Sequence, residues 1–169
     1  MPTKCPYTVW TLLLTMLPLP TVEARNSVID CGASTRPGFD NCVRTIRRVL
    51  VLLPHQPEKI QVLDPARGTP ELKAKLQHVD GFAEPGRRVV YLNEKGDVLH
   101  HALQGAGVWD YVAAIIIWHE MAHIDGANEI DAQRREEDLW QQFIVSRKVD
   151  GARGLAYLRL LRKRHELKK

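Results

Sequence analysis

The run Tyr111–Trp118, reading YVAAIIIW, constrains this chain more than any other stretch. It carries no charge and no amide side chain, it follows the flexible joint Gly105-Ala106-Gly107, and Gly126 stands shortly after it. A helix from about Val108 or Asp110 to Asp125 is expected. A helix that is apolar all round, rather than along one stripe, has to be buried on every side. Gly126 suits the residue just past its end. The remaining elements must therefore be built around this helix.

Directly after the apolar run come His119, Glu120 and His123, in the pattern HExxH. Side chains four apart lie one turn above each other on a helix, so both imidazoles can reach one metal ion with Glu120 beside them, the skeleton of a zinc hydrolase site. With 7 His and 10 Glu among 169 residues, a random shuffle would spell HExxH in about 1–2 % of cases, so the setting has to decide. Charged groups at the end of a central, buried helix are expensive unless a metal or partners satisfy them. A surface helix carrying the same letters would lack that setting.

Residues 1–24 read as a cleaved secretory signal. Lys4 supplies the positive end, Thr8–Leu19 is uncharged and mainly apolar, and Val22-Glu23-Ala24 offers small residues for cleavage. The apolar run is about a dozen residues against the ~20 a spanning helix needs, and Pro18 and Pro20 interrupt it; an uncleaved anchor is the alternative. Cys5 stands too early to be a lipid-modified cysteine. Residues 25–169 are then expected to form a single domain, secreted or periplasmic, since a chain 44% hydrophobic and 26% charged is not wholly disordered. In an oxidising compartment Cys31 and Cys42 are expected to form a disulfide, because neither belongs to a CxxC; two buried free thiols are the alternative.

Val43, Ile46, Val49 and Leu50 recur at helical spacing within Cys42–Leu53, with Arg44, Arg47 and Arg48 on a solvated side and Pro54 at the end. Ile60–Leu63 reads as a strand, and Glu71–Val79 as a short helix or a loop. Arg88–Asn93, RVVYLN, is the strongest strand, with Asp97–His101 pairing back on it as a hairpin. Asn128–Ser146 is a helix packing through Ile130, Leu139, Trp140 and Phe143. The last helix, about Ala152 to Leu167, turns Leu155, Leu158 and Leu161 inward and Arg153, Arg159, Arg162, Lys163 and Arg164 outward. The expected class is α+β, a small sheet packed on the buried HExxH helix and followed by two C-terminal helices.

A catalytic zinc takes three protein ligands and leaves a position for water. The short connection Ile124–Asn128 brings the opening turns of the next helix near the two histidines, and that helix carries Glu129, Asp131, Glu136 and Glu137. Glu129 and Glu136 are seven apart on one face. Glu129, nearest the turn, is preferred as the third ligand; Glu136 is the reserve. Asp125 and Asp131 are either histidine-orienting residues or capping and surface acids.

RVVYLN, the helix ending in HEMAH and the following Glu129-Ile-Asp-Ala132 together resemble the zincin metallopeptidases, in the gluzincin branch, over roughly Arg88–Phe143. Gluzincins have a longer gap before their glutamate. HEMAHIDGANE has instead the spacing of the metzincin pattern, but Met1, Met16 and Met121 leave no methionine for that branch's turn below the metal. The resemblance implies a zinc metallopeptidase of zincin-like fold, with His119, His123 and a glutamate on the metal and Glu120 as general base. It also implies an edge strand, here Tyr91 and its neighbours, along which a peptide or protein substrate adds. Tyr157 is the candidate transition-state stabiliser, with ordinary aromatic packing as the alternative.

Other features have plainer readings. His100 and His101, adjacent on a strand, would face opposite ways and not share an ion. The expected signal removes one Lys and one Glu, so the net charge stays at +4, with the excess in the C-terminal LRKRH and LKK. This reads as a solvated face rather than a nucleic-acid or membrane surface. A second function class remains open, a non-catalytic protein of the same fold whose metal is structural or whose cleft binds a partner.

Overall fold

A computed structural model describes residues 27–32, 36–84 and 86–166, so the expected signal and the final LKK lie outside the described residues. Strands β1 (Val28–Cys31), β2 (Lys59–Leu63), β3 (Gly81–Ala83) and β4 (Val89–Asn93) form one sheet in the order β1-β2-β4-β3. β1, β2 and β4 are parallel, and β3 closes one edge antiparallel to β4. Among the described residues six α-helices accompany them: α1 (Arg36–Leu50), α2 (Pro70–Leu76), α3 (Asp97–Leu103), α4 (Val108–Ile124), α5 (Glu129–Val145) and α6 (Gly151–Glu166). The class is α+β, with a small mixed sheet.

The apolar run occupies the centre, as its composition demands. Val112 through Ile117 are all buried in α4, which packs against α1, α3, α5, β3 and β4. Ile60 and Val62 of β2 alternate with their half-buried neighbours, pair with Val90 and Leu92 of β4, and join the same core. That alternation is the period-two signature of a sheet with one covered face. On the other face Phe82 stacks on Tyr91 at 4.7 Å between centroids. Cys31 and Cys42 form a disulfide that ties β1 to α1.

Several expectations need correction. Asp97–His101 is not a hairpin strand but lies in α3, whose N-terminus is held by Asp80 Oδ1 accepting from the Val98 N–H at 3.2 Å. The tertiary contact overrides the local reading, and His101 stacks on Trp109 at 4.6 Å. The first helix begins six residues early, at Arg36, with Asp40 and Asn41 inside it. Arg48 is not on a solvated face: its Nε and Nη2 reach Asp110 at 2.7 and 2.9 Å, and Nη2 also donates to Ala102 O. Asp110, buried in the first turn of α4, thereby anchors the central helix to α1 and α3. Ile130 and Leu155, both expected inward, are exposed at 48% and 49%. In α6 the buried place falls to Gly154, where an added Cβ would meet Ile144 Cγ1 at 2.6 Å.

The strand RVVYLN is present, but it is not an edge. β4 lies between β2 and β3, and Tyr91 is buried at 7% exposure. The open edge beside the HExxH helix belongs to β3, a three-residue strand too short to register as alternating sequence. It comes close because Gly81 has no side chain: a Cβ there would stand 3.0 Å from Tyr91 O and 3.3 Å from Ile116 Cγ2.

Candidate metal centre

As α4 leaves the core, its last two turns carry His119 and Glu120 to the wall of a cleft, with His123 one turn beyond His119. The helix stops with the chain reversal that Gly126 permits. Its φ is +87°, while the Gly126 N–H donates to His123 O and the Ala127 N–H to Ala122 O at 3.0 and 2.9 Å. This double bond pattern is the glycine-terminated helix ending in which a left-handed residue satisfies the last carbonyls. It also turns Ala127 O towards His123 Nδ1, 3.1 Å away. Asn128 then caps α5, its Oδ1 accepting from the Asp131 N–H at 3.0 Å, so Glu129 falls in the first turn and returns to the histidines.

Three atoms converge. His119 Nε2 and His123 Nε2 are 3.1 Å apart, and Glu129 Oε2 lies 3.5 Å from the first and 3.2 Å from the second. They form a group able to hold a metal ion. The tautomers suit that use. Ala127 O can only accept, so His123 Nδ1 carries a proton and its Nε2 presents a lone pair. An ionised Glu136 likewise accepts a hydrogen bond from the Nδ1–H of His119 at 3.1 Å, leaving that Nε2 free. Two lone pairs and a carboxylate oxygen at such distances repel one another unless a proton or a cation sits among them.

Glu136, the reserve ligand, thus lies on the far side of the His119 ring from the converging atoms. It is the most enclosed acid of the cluster, with its side chain 3% exposed. Burial pushes its carboxyl up, but the hydrogen bond from His119, the close approach of the His165 ring and the charge of Arg164 outweigh this and hold it at about 2. Arg164 Nη2 donates to Glu136 Oε1 at 2.9 Å, and His165 Nε2 stands 3.3 Å from Oε2 without hydrogen-bond geometry. His165 Nδ1 is bonded to Glu137 Oε1 at 2.9 Å. For His119, burial disfavours the charged ring, yet Glu136 and the other nearby carboxylates raise its pKa above the ordinary histidine value.

Glu120 occupies the same cleft. Burial raises its carboxyl pKa against the opposing pull of His119, His123 and the Ala83 N–H of β3, which faces the carboxylate. Asp125 and Asp131 prove to be surface and capping acids, paired with Arg135 and Arg134 at 2.9 and 3.3 Å. Tyr157 stacks on Trp140, 4.5 Å between centroids, and burial pushes its phenol up to about 12 although Arg164 opposes. The cleft wall is formed instead by Arg164 and His165.

The residues that sequence reasoning missed are the supporting ones. Gln133 Nε2 donates to Glu129 Oε1 at 2.9 Å and is itself buried. Gln133 and Glu136 share the stripe of Ala132, Leu139, Trp140 and Phe143, and two polar residues in core phase were the available signal. Arg164, His165 and Ala83 had none, being far away in sequence. Comparisons with known protein families, curated proteins and solved structures return no match to this chain.

Proposed function

We propose that this chain is an exported, zinc-dependent metallopeptidase of zincin-like type. The observation that carries the reading is the convergence of His119 Nε2, His123 Nε2 and Glu129 Oε2, with Glu120 at the same cleft. Donors about 2.0–2.1 Å from a tetrahedral ion stand about 3.3 Å from each other, and these three stand 3.1, 3.2 and 3.5 Å apart. Two imidazoles and one carboxylate are the set found in catalytic rather than structural zinc sites, which use four protein ligands. Glu129 keeps 46% of its side chain exposed, so the centre faces an open cleft. The Cys31–Cys42 disulfide supports an oxidising destination.

A bound zinc supplies a Lewis acid for the scissile carbonyl and makes an attacking water more acidic. Glu120 takes the proton from that water and returns it to the leaving amine, a task favoured by a carboxyl whose pKa burial has raised. β3 offers the substrate a strand to lie along. Asp80 O accepts from the Asn93 N–H at 2.8 Å, so alternation turns the amide and carbonyl of Gly81 and the carbonyl of Ala83 towards the open edge, while the Ala83 N–H faces Glu120. No helix among the described residues is long and apolar enough to cross a membrane, and the partner proposed is a peptide or protein substrate, not a nucleic acid.

The test is zinc content followed by hydrolysis of a peptide library by the wild type and Glu120→Gln. Retained zinc with cleavage reduced about 10²–10⁴-fold in the variant is expected. Zinc without cleavage by the wild type would favour a non-catalytic protein of this fold, and absence of zinc binding would overturn both metal readings.

A further inference from the structure

The cleft beside the converging ligands is a pocket of about 160 Å³ between the end of α4, the start of α5, the α2–β3 connection and the end of α6. At ~30 Å³ per water this is the space of roughly five waters, or of one amino-acid side chain. Its wall at α6 is Arg164 and His165.

Arg164 is a cation held in place and only partly used. Among the described residues its one hydrogen-bond partner is Glu136, reached by Nη2 at 2.9 Å, and its side chain remains 46% exposed. A guanidinium has five N–H donors in a planar fork, so most of this fork remains for a ligand. Its anchor is unusually firm, because Glu136 is buried and bonded through its other oxygen to His119 at 3.1 Å. That chain of two hydrogen bonds places the guanidinium within about 10 Å of the converging histidine nitrogens, a span of two to three extended residues.

We infer that Arg164 receives a substrate carboxylate on one side of the scissile bond, making the protein selective for peptides with an acidic side chain or a free C-terminus within about two to three residues of the cut. This rests on the metallopeptidase reading. Glu120, Glu129 and Asp80 also line the pocket, and without the metal's charge they would repel an anion. A carboxylate matches the planar fork two oxygens to two N–H groups, whereas a doubly charged phosphate meets more repulsion from the same acids. The acidic side chain and the terminal carboxylate present identical chemistry at Arg164, and the experiment separates them.

Zinc-loaded Glu120→Gln protein, arrested before cleavage, is titrated into fluorescently labelled peptides and binding is read by anisotropy. One pair of peptides differs by Glu against Gln at a single position scanned through the sequence; the other differs by a free against an amidated C-terminus. At least one pair is expected to bind about ten- to a hundredfold more tightly in its carboxylate form, the strength of a charge-assisted bond, and the responding pair names the source. Adding Arg164→Gln is expected to remove the difference, and Arg164→Lys to retain part of it while preserving the charge beside Glu136. Equal binding within both pairs, preference for the uncharged member, or discrimination that survives Arg164→Gln in a folded protein would overturn the inference. Carboxylate preference in a protein that cleaves nothing would leave Arg164 its role and sink the peptidase. Cleavage without that preference would do the reverse.

Discussion

Glu129 and Glu136 are chemically identical and lie on one face of one helix, yet their removal is expected to have different consequences for metal binding. Glu129→Ala deletes one of three converging donors. Structural zinc sites with four ligands bind with ~10–16 kcal/mol, or about 3–4 kcal/mol per ligand, so the variant should lose about 100- to 1,000-fold in affinity. Glu136→Gln keeps the volume but changes what the group can accept. Both oxygens of Glu136 face donors: His119 Nδ1 at 3.1 Å and Arg164 Nη2 at 2.9 Å, with His165 Nε2 at 3.3 Å. A glutamine has one accepting oxygen. If it stays with Arg164, its NH₂ group faces His119 Nδ1 and favours the tautomer whose proton sits on Nε2, where the metal needs a lone pair. Loss of such a supporting contact costs about 10- to 100-fold in affinity. Zinc competition against a chromophoric chelator at fixed pH measures both, with far-UV circular dichroism and urea midpoints checking that each variant is folded. Equal affinity of Glu136→Gln and wild type would refute the tautomer argument. A larger loss in Glu136→Gln than in Glu129→Ala would move the third ligand to Glu136.

Two further perturbations test the frame that holds the site. Replacing Cys31 and Cys42 by Ser opens a loop of 11 residues' separation, which loop-closure entropy values at about 3 kcal/mol; a urea-midpoint change worth less than about 1 kcal/mol would contradict it. Gly154→Ala sets two effects against each other. Helix propensity favours Ala by up to ~1 kcal/mol, but the new Cβ would stand 2.6 Å from Ile144 Cγ1 and 3.3 Å from Val149 Cγ1, and overpacking costs about 1–3 kcal/mol. A net loss of about 1 kcal/mol is expected, relieved by Ile144→Ala in the same chain. A stabilised Gly154→Ala would show that α6 is not seated as closely as this contact requires.

Much of the helical framework was legible because helices announce themselves locally. The apolar run of α4, Gly126 as its terminator, the start of α5 near Asn128 and the stripe through Leu139, Trp140 and Phe143 each need only a few neighbouring residues to be read. The sheet was less legible. β1 is four residues long and β3 three, and strands that short carry too little alternation to distinguish them from loop. The hairpin expected at Asp97–His101 failed for a related reason, since a distant cap from Asp80 stabilises a helix there.

For the site, the sequence by itself determined the pair His119 and His123 on one helical face, Glu120 beside them, and a short turn bringing the opening turns of the next helix, with Glu129 and Glu136, back towards them. All of these follow from the 3.6-residue period and one glycine. Only the tertiary structure separated the positions of the two glutamates. Periodicity puts Glu129 and Glu136 on the same stripe, but the distance between α4 and α5 sends one carboxylate to Nε2 and the other to Nδ1 of the same ring. It was also the tertiary structure that brought Arg164 and His165 from the last helix against Glu136, and the Ala83 N–H from a three-residue strand to Glu120. These contacts span from 28 to 37 positions of sequence, and no local pattern encodes a meeting that depends on how three helices and a sheet edge pack together.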